Sequence, residues 1–348
     1  MAQAATQIPE ADGFLPDRSA VVARGPWRLA ARRLRRNRPA MAALVTFVVI
    51  VAGSLAAPLY AHHVAHVDPF SANIGGTTIV NGKKASVIQQ SPGLGLGETP
   101  IGPTWDIHHY FLGADSDGRD VAARVLYGGR ASLVISVGAA IASSFIATVL
   151  ALVAGFFGGV VDGVISRFMD IVWAFPVFLL AILIATVSLT QGLRIGPLTI
   201  NSGSLLLPIV IIAVIFVPYA FRPIRGQALA VREKDFVNAS IVQGASNRWL
   251  IFREILPNVI TTVLVLLPLL IALDILTESG LSFLGIGVQP PQASWGTIIG
   301  DGQGLLYTRP WVAIAPGIMI LLVVLSLNVL GDGVRDALDP RAKLRVEG

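Results

Sequence analysis

Long apolar runs separated by short polar segments dominate the chain. Uncharged stretches occur at 40–61, 131–161, 171–193, 195–221, 255–273 and 310–331. Each is close to or longer than the roughly 20 residues that a helix rising 1.5 Å per residue needs to cross a bilayer. Arg194 alone divides the third from the fourth. Thr190-Gln191-Gly192 and Asn201-Ser202-Gly203 bracket it with turn-forming residues, and one helix of about 50 residues would far exceed a bilayer. The pattern predicts an all-α membrane protein with six transmembrane helices, and an even count puts both termini on one side.

Charge then orients the bundle. With the segments assigned alternately, the side holding 1–39, 162–170, 222–254 and 332–348 carries 19 Lys and Arg, and the other side carries 7. By the positive-inside rule the richer side, with both termini, is cytoplasmic. Composition agrees with membrane embedding: 54% of residues are hydrophobic, 14% are charged, and mean hydropathy is +0.71.

The net charge of +5 does not point to nucleic acid. The basic residues, above all Arg28, Arg32, Arg33, Arg35, Arg36 and Arg38, cluster beside a span, where anionic lipid headgroups are the simpler partner. The 22 uncharged residues of 40–61 exceed a signal-peptide core, so this stretch is expected to be a retained span. The absence of cysteine excludes disulfides, thiol catalysis and Cys-ligated zinc.

These assignments organise the chain. Residues 1–39 form a cytoplasmic basic segment, with 1–25 expected as a disordered tail and Gly25 to Arg38 as a helix on the membrane surface. Residues 40–61 are the first span and 62–130 an extracytoplasmic segment, with a small hairpin expected around Val80-Asn81-Gly82-Lys83. Residues 131–331 are a helical core and 332–348 a cytoplasmic tail. No internal repeat is visible, which disfavours an inverted-repeat transporter.

Within the core, 222–257 is a charged island. Residues 227–243 are expected to form a helix that Gly244 ends in the left-handed conformation. Ser246 or Asn247 can cap a second helix, on which Trp249, Phe252 and Leu256 form a stripe, and Pro257 marks the return to the membrane. The spacing predicts a bent helix pair projecting from the bilayer.

This island resembles the cytoplasmic loop of permease subunits of binding-protein-dependent ABC importers. Their pattern is Glu-Ala-Ala, three residues, Gly, nine residues, Ile, one residue, Leu-Pro. Ala239, Gly244, Leu256 and Pro257 match in register; Asn238 replaces the glutamate, Ser240 the second alanine, and Glu254 stands where Ile is expected. Three further stretches are similar to C-type subunits of dipeptide and oligopeptide permeases: Leu112 through Arg130, Glu278 through Gly285 with Pro290-Pro291 and Trp295-Gly296, and Gly331 through Arg341. The resemblance covers roughly 26–60 and 108–342; loop 71–104 has no counterpart.

The resemblance implies a type I importer permease fold in a bacterial-type inner membrane, paired with a second permease subunit. Two ATPases would dock on Asn238, Ala239, Ser240, Gly244, Leu256 and Pro257, and an extracytoplasmic binding protein would deliver solute, most simply a peptide. Nickel or another small solute remains an alternative within the family, and an ion-coupled secondary transporter one outside it. Against the latter, none of the six spans as delimited contains an acid, a base or a histidine.

The chain is not expected to be an enzyme or to need a cofactor. Its nearest phosphate-loop lookalike, Gly76 to Gly82-Lys83-Lys84, has one residue too many between the glycines and lacks the final Ser or Thr. His62, His63, His66, His108 and His109 all fall in the outer segment and are expected as interfacial side chains rather than metal ligands. Asp115-x-Asp117-Gly118 reads as a turn, since Leu126 stands where a calcium loop needs its glutamate. Asp274 and Glu278 share a helix face beyond the fifth span, near the outer surface, and are candidates for the translocation pathway.

Overall fold

A computed structural model describes residues 26–80, 82–90, 97–196 and 198–339. The expected tail 1–25, the end of the chain from Pro340 onward, Asn81 and 91–96 lie outside the described residues.

Two N-terminal helices, α1 (Pro26–Arg36) and α2 (Arg38–Leu55), meet at Asn37, whose side chain caps α2 by accepting from Ala40 N at 3.1 Å. A short turn, α3 (Ala57–Leu59), and a π-helical turn at Tyr60–Val64 complete the first apolar run. Helix α4 (Val121–Phe157) starts ten residues before the expected 131. Its early charges are compensated in space: Arg124 pairs with Asp115 and Asp301, and Arg130 lies over the Tyr127 ring.

The third span departs most from expectation. Instead of one helix over 171–193, α5 (Gly159–Trp173) and α6 (Val177–Gln191) meet at Pro176 with a bend of 86°. The expected start of the fourth span at 195 is overturned too. Strands β5 (Leu193–Ile195) and β6 (Leu198–Ile200) pair as a small hairpin around Gly196, and α7 (Leu206–Arg232) begins only afterwards.

Downstream are α8 (Asp235–Val242), α9 (Asn247–Trp249), a π-turn at Leu250–Ile255 that runs directly into α10 (Leu256–Phe283), then α11 (Trp295–Gly302) and α12 (Trp311–Leu338). Among the described residues five helices are long and apolar enough to cross a membrane, six crossings if the bent pair counts as one.

Packing shows that the bent pair does cross once. A Cβ on Gly138 would meet Ile209, and one on Gly155 would meet Ala228. Seventeen residues of α4 therefore match nineteen of α7 in the same direction. Two parallel helices require the intervening chain to leave at one end and return at the other. Helix α2 runs oppositely, since Ser54 abuts Gly129 and Ala40 abuts Gly333 of α12. Six crossings follow, and Arg38 and Leu338 lie at the same end as α8.

At the opposite end sits a small layer of two hairpins. Strand β1 (Thr77–Val80) pairs with β2 (Lys83–Ser86), Val80 opposite Lys83, as the sequence predicts, and β3 (Ile88–Gln90) pairs with β4 (Glu98–Pro100), which it does not. Val87, Ile101, Tyr110 and Ala114 form their core. Asp115 begins the expected turn: its Oδ1 accepts from the backbone N of Asp117 and Arg119, and Gly118 adopts φ +75° beside Asn73 O.

Asp120 then caps α4, accepting from Ala123 N at 2.7 Å, while its other oxygen is buried without a partner among the described residues. Desolvation pushes its pKa up to about 6, against the pull of the Ala123 and Ala122 amides. The folded state therefore holds this proton more tightly than the unfolded chain, and stability should fall as pH rises from about 4 to about 6. Asp120→Asn keeps the cap and removes the buried charge. It should flatten that slope and stabilise the protein by about 2 kcal/mol at pH 7, read by thermal unfolding at pH 4.5 and 7.

Candidate functional site

The island forms an elbow outside the bundle. Helix α7 continues past the apolar run to Arg232 and breaks at Glu233 and Lys234, so the single helix expected over 227–243 is two helices, α7 and α8. Helix α8 ends as the sequence indicates. Gly244 has φ +82°, its N donates to Ile241 O at 2.9 Å, and Ala245 N donates to Ser240 O at 3.0 Å. This pair of bonds satisfies carbonyls that a helix end otherwise leaves open. Ser246 then caps α9, accepting from Trp249 N.

Buried Val237, Leu250 and Ile255 hold the elbow to the bundle. The other face is open: Phe236, Ile241, Trp249 and Phe252 are exposed, and Val242 is 88% exposed. Asn238, Ala239, Gly244 and Pro257 are exposed too, whereas Ser240 and Leu256 are half-buried. Asn238 also lines a cleft of about 410 Å³ with Leu229, Arg232 and Glu233.

Glu254, a departure from the resembled pattern, has a structural use. Its carboxylate accepts from the Ser240 hydroxyl at 3.3 Å, tying the two arms of the elbow, and its carbonyl accepts from Asn258 Nδ2 at 2.6 Å within the second arm. Its place opposite Ser240, fourteen residues away, is not readable from local pattern.

The candidate pathway pair is placed elsewhere than expected. Asp274 and Glu278 lie inside α10, which runs ten residues beyond the expected 273, and both are fully buried rather than solvated near the outer surface. The Glu278 carboxylate accepts from Ser282 Oγ at 2.7 Å and Ser279 Oγ at 3.4 Å, and the Ser132 and Ser294 hydroxyls also bond to it. Asp274, one turn away, has neither oxygen satisfied among the described residues. Hydroxyls from α4 and from the α11 cap thus compensate one acid only. The span as delimited, 255–273, holds no acid, but α10 extends past it to include both.

Helix α11 closes over this region. A Cβ on Gly296 would come within 2.2 Å of Ser279 O. Trp295, 1% exposed, donates through Nε1 to Val125 O at 3.0 Å and through its backbone N to Ser132 Oγ at 3.1 Å. The outer histidines stand at the far end, where His108 Nδ1 lies 3.0 Å from Val64 O. No group of three or more His, Asp or Glu arranged to hold a metal occurs among the described residues.

A bundle of six crossings with an exposed elbow after the fourth is the architecture of a multi-span membrane protein. The sequence profile of the binding-protein-dependent transport system inner membrane component family matches residues 147–344, and that of the N-terminal transmembrane domain of oligopeptide transport permease C matches 25–74. The chain belongs to this family of inner membrane transport components. It is 33% identical over 328 residues, 94% of each chain, to a dipeptide transport system permease protein, DppC, of Alkalihalophilus pseudofirmus. It is 33% identical over 318 residues, covering 91% of this chain and 89% of the relative, to the oligopeptide transport system permease protein OppC of Haemophilus influenzae. To OppC of Escherichia coli K12 it is 33% identical over 321 residues, covering 92% and 93%.

Proposed function

We propose that the chain is the permease subunit of an ATP-driven importer of di- or oligopeptides, and that the elbow of α8 and α9 receives a cytoplasmic ATPase. The open apolar surface around Gly244, joined to α7 across the break at Glu233 and Lys234 and to α10 through the π-turn, carries this reading. Force applied to α8 passes through α7 on one side and through the π-turn into α10 on the other. The mechanism is alternating access: closure of two ATPases moves the elbows of this chain and of a second permease subunit, and the crossing helices rock about the solute. In this reading the α8 end is cytoplasmic, a binding protein docks on the hairpin layer, and the chain makes and breaks no bonds itself.

The test is ATP hydrolysis by the complex reconstituted in liposomes with its partner subunits and binding protein. Stimulation by a mixed peptide library, and none by nickel chelates, is expected. Stimulation by nickel alone would replace the peptide assignment, and uptake persisting without ATP on an ion gradient would remove the importer reading.

Asp274 and Glu278 belong to the translocation route in this proposal. Both are sealed between α10 and its neighbours, so they meet solute only in a conformation where α10 separates from α4 and α11. A carboxyl buried without partners costs at least about 1–3 kcal/mol, and intramembrane acids mark pathways more often than scaffolds. Asp274→Asn should assemble normally yet lower uptake at least about tenfold, and Glu278→Gln should do the same; unchanged uptake in a variant takes that residue off the route.

A further inference from the structure

Helix α5 carries two opposite faces. Val160, Val164, Phe168 and Ile171 are 83%, 64%, 59% and 61% exposed. Asp162, Ser166, Met169 and Asp170 lie on the other side: Met169 is buried, Asp162 pairs with Arg225, and Asp170 pairs with Arg222 at 3.1 Å. At about 100° per residue the two sets are centred roughly 200° apart. Arg222 also lies over the Trp173 ring, so α5 is fastened to α7 along its length.

The ion pairs show how α5 lies. Asp162 and Asp170 are separated by about 12 Å along α5, whereas Arg225 and Arg222 are only about 4.5 Å apart along α7. Such a mismatch fits helices that cross steeply, in keeping with the 86° bend between α5 and α6. Since α6 completes the crossing, α5 runs nearly parallel to the membrane plane. Its depth is fixed by Gly155 packing on Ala228, just before α5 begins and just past the apolar part of α7.

We infer that α5 is a membrane-surface helix whose Val160, Val164, Phe168 and Ile171 insert among phospholipid acyl chains of the leaflet on the α8 side. Exposed Arg167 borders this stripe and reaches headgroup phosphates. The exposed Leu179, Leu183 and Val187 continue the same apolar surface along α6, as a lipid boundary would. The latched face ties this anchor to the part of α7 that leads into α8, so the leaflet holds the base of the elbow. The inference rests on the reading of the chain as a membrane permease.

The chain has no cysteine, so Val164→Cys and Phe168→Cys give unique nitroxide sites, labelled before assembly into the complex in vesicles of phosphatidylethanolamine and phosphatidylglycerol. Oxygen collisions should exceed those of a water-soluble nickel chelate at least threefold at both sites, in the permease alone and in the complex. Preference for the chelate, or loss of both collision partners when the second permease subunit is added, would overturn the inference. A Val49→Cys label on the exposed face of α2 separates the failures. If it reports lipid and Phe168→Cys does not, the permease reading stands and the surface helix falls; if it reports water, the membrane reading itself falls.

Discussion

Replacing Gly244 by aspartate is expected to leave a folded, membrane-inserted permease that no longer retains its ATPase. The backbone at 244 has φ +82°, a region that costs a non-glycine residue of L configuration about 1–2 kcal/mol. Apart from its chain neighbours, no described atom lies within 4 Å of the position a Cβ would take, so the substitution meets no packing obstacle there. The side chain would project from the elbow, where the proposed ATPase would sit, and bring a charge to that apolar surface. Co-purified ATPase should fall at least tenfold while the amount of permease is unchanged. Gly244→Asn separates the causes: asparagine tolerates the left-handed region, so it adds bulk without the charge or most of the strain. Normal ATPase retention by Gly244→Asp would refute docking at this elbow.

Six crossings were legible because bilayer thickness sets a length that uncharged runs must meet, and the runs at 40–61, 255–273 and 310–331 meet it. Gly244, Ser246 and Gly82 were legible because caps and tight turns depend on only a few neighbouring residues. What the sequence hides is compensation from a distance. Arg124 and Arg130 look like a boundary until Asp115, Asp301 and Tyr127 are brought beside them, so α4 reads as ten residues too short. Asp274 and Glu278 likewise look like residues beyond a span, because nothing local signals that Ser132 and Ser294 will surround Glu278.

Two other departures come from the backbone. Helix α7 breaks at Glu233 and Lys234 without a glycine or proline, so no punctuation marks it. The hairpin at 193–200 lies where the sequence shows a division at Arg194 between turn-forming residues, but only Arg194 and the left-handed Gly196, φ +61°, are a trace of its strands. Pro176 stands at the bend, but a proline does not state the size of the bend it permits, here 86°.

The same compensation predicts the largest stability effect. Arg124 is 3% exposed; its Nη1 bonds to Asp115 and lies 2.9 Å from Asp301 Oδ2 at the end of α11. Breaking a buried pair leaves a charge without compensation, and Arg124→Met should destabilise the protein by about 3 kcal/mol. That figure is at the low end because Arg119 still reaches Asp115 Oδ2 at 2.8 Å and Asp301 Oδ2 at 3.2 Å. Asp115→Asn in the same chain should restore none of the loss, since Arg119 still needs that carboxylate. Thermal unfolding in detergent reads both. The effect should also reach function, because Arg124 anchors α11, and the cap of α11 supplies Ser294 to Glu278. Arg124→Met is therefore expected to raise ATP hydrolysis without solute while lowering uptake. A loss below about 1 kcal/mol, with coupling intact, would mean that Arg119 alone secures α11 and that Arg124 is dispensable.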